Sequence, residues 1–375
     1  MKEISSIKDS PLSSGRLLSL DALRGFDMFW IIGAEGIVHA LKEATGWGWA
    51  IWMSGQLDHV EWNGFRFYDL IFPLFLFLSG ATMPFSLTRQ LEKGIPKKKI
   101  YLHVVRRGLL LVLLGCIYNG LLQFDFEHQR YASVLAQIGI AYMLAAFIFL
   151  NTGWKGQAAW AAGIVLAYWA AMKLIPVPGF GAGVLTREGS LVTYVDQMLL
   201  PGRFHEEIFD PEGILVKIPA IATALLGALA GWWLKQKKSN EYRKVGYMVM
   251  ASVLFFLLAY LIGQSFPINK KLWSSSFVFQ TAACSTLLLA LFYLVIDVWR
   301  IRGWAFFFAV IGMNSITIYM ATGMIDFWHT ADYFFGGVAR LFGENWSQVI
   351  LAISVVLIEW GFLYFLYRRK IFLRV

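Results

Sequence analysis

The amino-acid sequence predicts an all-α, polytopic membrane protein with about ten transmembrane helices. Of the 375 residues, 58% are hydrophobic and only 15% are charged, whereas soluble domains carry roughly 25% charged residues. The apolar residues form runs of about twenty, the length a helix needs to cross a bilayer core of ~30 Å. Lysine and arginine cluster between the runs, so the net charge of +9 belongs to the loops. This pattern argues against a water-soluble enzyme, a disordered chain and a nucleic-acid-binding protein.

Charged residues divide the apolar runs into ten predicted spans within a single membrane domain of residues 17–368. The predicted spans are about 17–41, 69–91, 103–122, 131–150, 157–175, 214–234, 245–263, 274–297, 304–327 and 347–367. Two of the connecting loops, about 42–68 and 176–213, are long enough to hold structure of their own. Residues 1–16 and 369–375 flank the domain as a short N-terminal segment and a C-terminal tail.

The distribution of positive charge predicts the orientation of the chain. About two thirds of the 33 lysines and arginines lie in the terminal segments and in the loops that follow every second span. Because lysine and arginine concentrate on the cytoplasmic side of a membrane, both termini are predicted to be cytoplasmic. The two long loops then lie on the opposite side.

The first predicted span has an unusual number of charged residues. Asp21, Arg24 and Asp27 recur every three residues, which places them on adjoining parts of one helix face. Each charge within a span costs at least ~2.5–3.5 kcal/mol, so each needs a partner or a function. Two interpretations remain open: an ion-paired structural cluster, or a site where Arg24, oriented by Asp21, meets an anionic ligand from the cytoplasm.

Two histidines lie near the outer end of this span. Glu35 and His39 are four residues apart and can touch on one helix face, and a pair of this kind is more often structural than functional. His59 lies in the following loop, between acidic neighbours and ahead of the helix that begins near Asp69. Imidazole is the usual general base and can also accept an acyl group. Taken alone, a loop histidine is more often an ordinary surface residue than a catalytic one.

A few other polar residues enter or approach the membrane. Gln137 and Asn314 can hydrogen-bond either to neighbouring helices or to a ligand. Arg106 and Arg107 are either part of the cytoplasmic positive charge or phosphate ligands, and Asp326 lies near the outer end of the ninth span. The six histidines are scattered and no zinc spacing, phosphate-binding loop or dinucleotide fingerprint occurs, so no metal is predicted.

Five sequence motifs resemble those of the heparan-α-glucosaminide N-acetyltransferase family and its bacterial relatives, and they follow one another in the family's order. They extend over about residues 16–320. The most specific part is a histidine before Trp-Asn-Gly, followed by Asp-Leu-x-Phe-Pro. The motifs are Ser19-Leu20-Asp21-Ala22-Leu23-Arg24-Gly25; His59 with Trp62-Asn63-Gly64; Asp69-Leu70-Ile71-Phe72-Pro73 through Ser79-Gly80; Asp210-Pro211-Glu212-Gly213 with Ile218-Pro219-Ala220; and Gly312-Met313-Asn314-Ser315-Ile316.

The resemblance implies an N-acetyltransferase of the bacterial inner membrane. The lysosomal member of the family moves acetyl from cytosolic acetyl-CoA to the amino group of a terminal glucosamine across the membrane. For this chain it implies acetyl-CoA as co-substrate and an amino sugar or glycosaminoglycan-derived oligosaccharide as acceptor. A homodimer is left open. The alternatives are an inner-membrane amino-sugar transporter, or a binding or assembly protein that has the same fold but no acetyltransferase activity.

The resemblance also suggests roles for individual residues, with His59 matching the family's proposed catalytic histidine. Glu35 and Asp69 are candidates to orient His59 or hold the acceptor's ammonium, and Asn314 to donate to the thioester oxygen. The candidates for acetyl-CoA binding are Asp21, Arg24, Arg106, Arg107 and Gln137, and those for acceptor binding are Trp62, Asn63, His39 and Asp326. Direct transfer and an acetyl-His59 intermediate both remain open.

The sequence departs from the family's pattern at two of these positions. Glu35 stands where the family has an asparagine, and Ala136-Gln137 stands where it has a Gln-Arg pair. The second change removes one potential phosphate ligand.

Overall fold

The computed structural model describes residues 17–237 and 239–373, which are predominantly helical. The predicted N-terminal segment 1–16 and residues 374–375 of the predicted tail lie outside the described residues. The helices are α1 (Leu18–Phe29), α2 (Glu35–Thr45), α3 (Gly48–Gln56), α4 (Phe67–Ala81), α5 (Met83–Glu92), α6 (Lys97–Tyr118), α7 (Val134–Asn151), α8 (Trp154–Leu174), α9 (Leu191–Leu199), α10 (Lys217–Lys235), α11 (Glu241–Gly263), α12 (Ser275–Phe292), α13 (Ala305–Met313), α14 (Ser315–Met324), α15 (Phe327–Arg340) and α16 (Glu344–Arg368). A two-residue hairpin pairs β1 (Pro176–Val177) with β2 (Gly181–Ala182), and π-helical turns cover Trp30–Ala34 and Tyr293–Val298.

The prediction of an all-α multi-pass membrane protein is confirmed. Among the described residues, seven helical segments are long and apolar enough to cross a membrane, and α13 with α14, bent by 70°, form an eighth if counted as one span. These eight coincide with eight of the ten predicted spans. The other two, 17–41 and 157–175, are helical but do not meet the same measure of length and hydropathy.

Both exceptions have physical reasons. The segment 17–41 is divided by the π-helical turn Trp30–Ala34, where Gly33 has a non-helical φ of 124°. Helix α8 carries lysines near both ends, and glutamine and two glycines lower its mean hydropathy further. The number of spans supported by length and hydropathy is therefore seven or eight rather than ten.

Contacts divide the chain into two compact units, and the first contains α1–α3, the start of α4 and α13–α16. It takes in the described residues up to His59, then Arg66–Ile71, and those from Leu288 onward. Helices α1 and α13 cross at two glycines: a Cβ added to Gly25 would lie 1.7 Å from the Phe308 carbonyl oxygen, and one on Gly312 would lie 2.0 Å from that of Asp21. Only glycine permits this backbone approach, so two of the sequence motifs include packing residues.

The second unit comprises Val60–Phe65 and Phe72–Leu287. Helix α6 packs along α7, while α10 packs against both α7 and α8. Trp273, Phe266 and Phe277 are among its largest fully buried side chains. The prediction of a single domain over 17–368 stays a prediction.

Candidate functional site

His59 and Asp69 form a hydrogen-bonded pair in the first unit. The Nδ1 atom of His59 lies 2.8 Å from Oδ1 of Asp69, whose side chain is 1% exposed, whereas the imidazole is 47% exposed. An ionised carboxylate only accepts hydrogen bonds, so Nδ1 must carry the proton in this contact. In this tautomer Nε2 is the basic nitrogen of the ring, the atom through which an imidazole takes up a proton or attacks as a nucleophile.

The local fold fixes the position of the carboxylate. Asp69 lies in the first turn of α4, and its Oδ2 accepts a hydrogen bond of 3.0 Å from the backbone N–H of Arg66, just before the helix. A carboxylate in this position satisfies a donor at the helix terminus. The Arg66 guanidinium also donates to the His59 carbonyl oxygen at 3.3 Å. One oxygen of Asp69 thus anchors the helix start while the other holds the imidazole.

Glu35 belongs to the same neighbourhood through Tyr68. The Tyr68 hydroxyl donates to the Glu35 carboxylate, and the Tyr68 ring centroid lies 4.9 Å from that of His59. Glu35 is within electrostatic reach of both His39 and His59. The Nδ1 atom of His39 lies 2.8 Å from the Ser54 hydroxyl. Sequence reasoning did not single out Tyr68, because an aromatic residue at the start of a span is ordinarily an interfacial anchor.

Trp62 is held within the second unit. Its indole N–H donates to the Leu185 carbonyl oxygen at 3.0 Å, and the Arg187 guanidinium lies 5.8 Å from the ring centroid. Phe209 meets the indole edge to face, with the ring centroids 5.9 Å apart. The loop at 176–213 therefore sets the position of Trp62.

The neighbouring Asn63-Gly64 segment is held by residues just before α12. The Asn269 amide donates to Asn63 Oδ1 at 3.2 Å, and the Gly64 N–H donates to the Ile268 carbonyl oxygen at 2.9 Å. Gly64 has a φ of +130°, which side-chain-bearing residues rarely adopt. The glycine of the Trp-Asn-Gly motif is thus required by backbone conformation.

Arg130, which the sequence reasoning did not single out, organises the outer loop of the second unit. Its Nε and Nη2 atoms donate to the two oxygens of Asp210 at 2.7 Å each, and Nη2 also donates to Glu212. Burial alone raises the pKa of the Asp210 carboxyl, but the hydrogen bonds and charge of Arg130 outweigh it and hold that pKa below its usual range. The Asp-Pro-Glu-Gly motif was the available signal, yet its partner lies 80 residues away.

A third buried carboxylate, after those of Asp210 and Glu212, belongs to this loop. Asp196 is fully buried and accepts hydrogen bonds from the backbone N–H groups of Asp210 at 3.2 Å and Ile214 at 2.9 Å. Burial raises the pKa of Asp196 to about 6, although these hydrogen bonds and the charge of Lys217 act in the opposite direction.

The predicted acetyl-CoA ligands divide between the two units. In the first, Arg24 Nη1 lies 3.6 Å from Asp21 Oδ1 and the Arg24 side chain is 20% exposed. In the second, the Arg107 guanidinium stacks 4.3 Å from the Tyr142 ring centroid, and Arg106 is exposed.

Two of the second-unit residues have unmet hydrogen-bonding capacity. Among the described residues, Arg107 Nε and both amide atoms of the fully buried Gln137 have no hydrogen-bond partner. These groups suit phosphate oxygens and the amides of a pantetheine chain.

The two remaining predicted residues contact the chain itself. The Asn314 amide donates to the Ile371 carbonyl oxygen at 3.1 Å and accepts from the Leu373 N–H at 3.3 Å. Asp326 caps α15 by accepting from the His329 N–H at 2.8 Å. Their proposed roles toward substrates stay predictions. Residues 17–237 and 239–373 contain no group of three or more His, Cys, Asp or Glu side chains that could hold a metal ion.

Comparisons with known proteins confirm the resemblance drawn from the motifs. Residues 16–172 match a family described as a domain of unknown function, DUF5009. The chain is also similar to heparan-alpha-glucosaminide N-acetyltransferase of Mus musculus, 26% identical over 428 aligned residues covering 97% of this chain and 61% of the relative. The Homo sapiens protein of that name is 26% identical over 425, covering 96% and 60%. The chain thus spans about three fifths of the length of these relatives.

Proposed function

We propose that this protein is a membrane N-acetyltransferase that moves acetyl from cytosolic acetyl-CoA to the amino group of a periplasmic glucosamine or glucosaminide. The observation that carries the proposal is the pair of His59 and Asp69, in which a buried carboxylate holds the Nδ1 side of a half-exposed imidazole. The similarity to proteins named as glucosaminide N-acetyltransferases supports the reaction class.

The pair is suited to the proton transfer that amide formation requires. The acceptor nitrogen attacks the thioester carbonyl carbon, the new C–N bond replaces the C–S bond, and coenzyme A leaves as the thiolate. His59 Nε2 takes the proton that the amine must lose, and the Asp69 carboxylate compensates the imidazolium charge. General-base catalysis of this kind contributes about 10²–10⁴-fold to the rate.

Each unit contains candidate ligands for the two substrates. In the first unit, Glu35, hydrogen-bonded to Tyr68, supplies a carboxylate for the acceptor's ammonium or hydroxyl groups, and Arg24 is a candidate phosphate ligand. In the second unit, Arg107 and Gln137 have donors available for acetyl-CoA, and Arg106 is a further candidate phosphate ligand. Trp62 is a stacking surface for a sugar ring. Transfer through an acetyl-His59 intermediate uses the same atoms, with Nε2 as the nucleophile.

His59→Ala tests the proposal directly. We expect acetyl transfer from labelled acetyl-CoA to glucosamine or an oligosaccharide, by protein purified into nanodiscs, to fall by about 10²–10⁴-fold. His128→Ala is a matched control, because His128 forms a second His–Asp pair, with Asp125 at 3.1 Å, in which both side chains are more than half exposed. That variant is expected to keep its activity.

Two results would reject the proposal. One is normal turnover by a folded His59→Ala variant. The other is accumulation of labelled glucosamine in vesicles without acetyl-CoA and without acetylated product, which would favour an amino-sugar transporter.

A further inference from the structure

A cavity of about 540 Å³ lies within the first unit, where two helices are interrupted. On one side the π-helical turn contributes Ile31–Gly33, and on the other the chain leaves α14 and begins α15 over Thr322–Trp328. The φ of +124° at Gly33 is a conformation that other residues rarely adopt. The cavity is thus bordered by the π-helical turn on one side and by the break between α14 and α15 on the other.

Glu359, from the middle of α16, lines the same cavity. It is only 2% exposed, and its Oε2 atom has no hydrogen-bond partner among the described residues. A carboxylate within a membrane span is costly unless it meets a cation or a hydrogen-bond donor. No lysine, arginine or histidine is among the residues that line the cavity. The lining therefore offers Glu359 no positively charged partner of its own.

The rest of the lining favours a cation over an anion. Helix α14 ends at Met324, so the carbonyl groups of its last turn, at the negative end of the helix dipole, lie at the cavity. Asp326 adds a second carboxylate, and Trp328, 45% exposed, offers an aromatic face on which cations bind. The cavity is much larger than a bare metal ion and is also lined by Ile31, Ile32 and Ile325. Its shape and chemistry suit an amine attached to an organic body.

We propose that this cavity binds a primary ammonium group, which forms an ion pair with Glu359. Two sources share this chemistry: an amino sugar, and the ethanolamine headgroup of a phospholipid. Naming the amino sugar as one source rests on the proposed function. The ammonium chemistry itself rests on Glu359 and the cavity.

Equilibrium binding without acetyl-CoA tests the amino-sugar source. Labelled glucosamine is titrated into protein in nanodiscs of phosphatidylcholine and phosphatidylglycerol, because neither lipid carries a primary amine. Glu359→Gln, which keeps the shape and removes the charge, is expected to weaken binding by about 10- to 100-fold. N-acetylglucosamine, whose nitrogen is uncharged, should bind correspondingly weakly to the unaltered protein.

Two further variants separate a lost ion pair from a disturbed fold. Glu344→Gln makes the same substitution at the exposed first residue of α16 and should bind glucosamine normally. Glu359→Asp keeps the carboxylate and should still prefer glucosamine over N-acetylglucosamine. If Glu359→Gln does not fold, loss of that preference in Glu359→Asp, with normal thermal stability, overturns the amino-sugar source.

The lipid source is tested with nanodiscs that contain phosphatidylethanolamine. If a headgroup occupies the cavity, native mass spectrometry should detect phosphatidylethanolamine bound to the unaltered protein and to Glu344→Gln, but not to Glu359→Gln. If neither glucosamine nor phosphatidylethanolamine binding depends on Glu359, the proposal is overturned. The binding assay contains no acetyl-CoA and measures no acetyl transfer, so failure of the proposed transferase chemistry would leave the ammonium site intact.

Discussion

At the level of single residues, Asp69 has two functions that can be separated by mutation. One oxygen accepts from the backbone at the start of α4, and the other holds the Nδ1 proton of His59. In Asp69→Asn the side chain keeps one acceptor oxygen but loses the charge that stabilises an imidazolium. We expect kcat to fall by about 10²–10⁴-fold, while thermal stability falls only modestly. The measurement is turnover together with the melting temperature.

Asp125→Asn is the matched control for this variant. It makes the same exchange in the exposed pair with His128 and should leave kcat unchanged. An Asp69→Asn variant with unaltered kcat would show that Asp69 has only a structural role at the helix start.

The raised pKa of Asp196 leads to a prediction of how the protein's stability depends on pH. Its pKa is raised to about 6 in the folded protein by burial, above the ordinary value of about 3.9 of an exposed aspartate. Folding therefore favours the protonated form, and this contribution to stability is fully present below pH ~4 and lost as pH rises through about 6. We expect the melting temperature to contain a component that rises as pH falls from 7 to 5, and Asp196→Asn to flatten it. An unchanged pH profile in that variant would contradict the prediction.

The residues of the site differ in how far sequence alone could identify them. His59 and Asp69 are ten residues apart across one loop, so local sequence brought both to attention. Arg130 and Asp210 are 80 residues apart, and only the fold reveals that they pair. Glu359 could not be identified from sequence for a different reason. The cavity that it lines is formed where other helices are interrupted, and those interruptions are visible only in the structure.

At the level of elements, the crossing of α1 and α13 depends on two glycines. The Cβ of Gly25→Ala would lie 1.7 Å from a backbone oxygen of α13, a distance that only separation of the helices can relieve. We expect this variant, and likewise Gly312→Ala, to lose about 1–3 kcal/mol of stability or more. The measurement is thermal unfolding in detergent or nanodiscs.

Gly36→Ala, in the neighbouring helix α2, provides the control. A Cβ added to Gly36 meets nothing within 4 Å, and alanine favours a helix by about 1 kcal/mol over glycine. This variant should be neutral or slightly stabilised. If Gly25→Ala were equally harmless, the close crossing of α1 and α13 would be wrong.

Hydropathy predicts the positions of the long apolar spans but not the break within the first predicted span. Eight predicted spans coincide with long apolar segments, because hydrophobic length is a local property of the sequence. The break at Gly33 is different: glycine permits helix and non-helix alike, and here the turn packs beside Val355 and Val356 of α16. The interruption of the first predicted span therefore depends on a helix more than 300 residues later.

At the level of the whole molecule, the charge distribution and the proposed chemistry have to agree. The distribution of lysines and arginines predicts that both termini are cytoplasmic and that the loops at 42–68 and 176–213 lie outside. His59 would then face an external acceptor, while the proposed donor, acetyl-CoA, is cytosolic. The proposed reaction thus depends on an orientation that is itself a prediction from sequence.

Cysteine labelling tests that orientation. Cys116 and Cys284 are first replaced by serine, and single cysteines are introduced at the exposed positions Glu207 and Lys237, both within the second unit. In intact spheroplasts, a membrane-impermeant maleimide should label Glu207→Cys and should reach Lys237→Cys only after permeabilisation. Labelling in the reverse pattern would put the His59 loop in the cytoplasm together with acetyl-CoA. Transfer across the membrane would then be excluded, even if His59 still catalysed acetylation of a cytosolic amine.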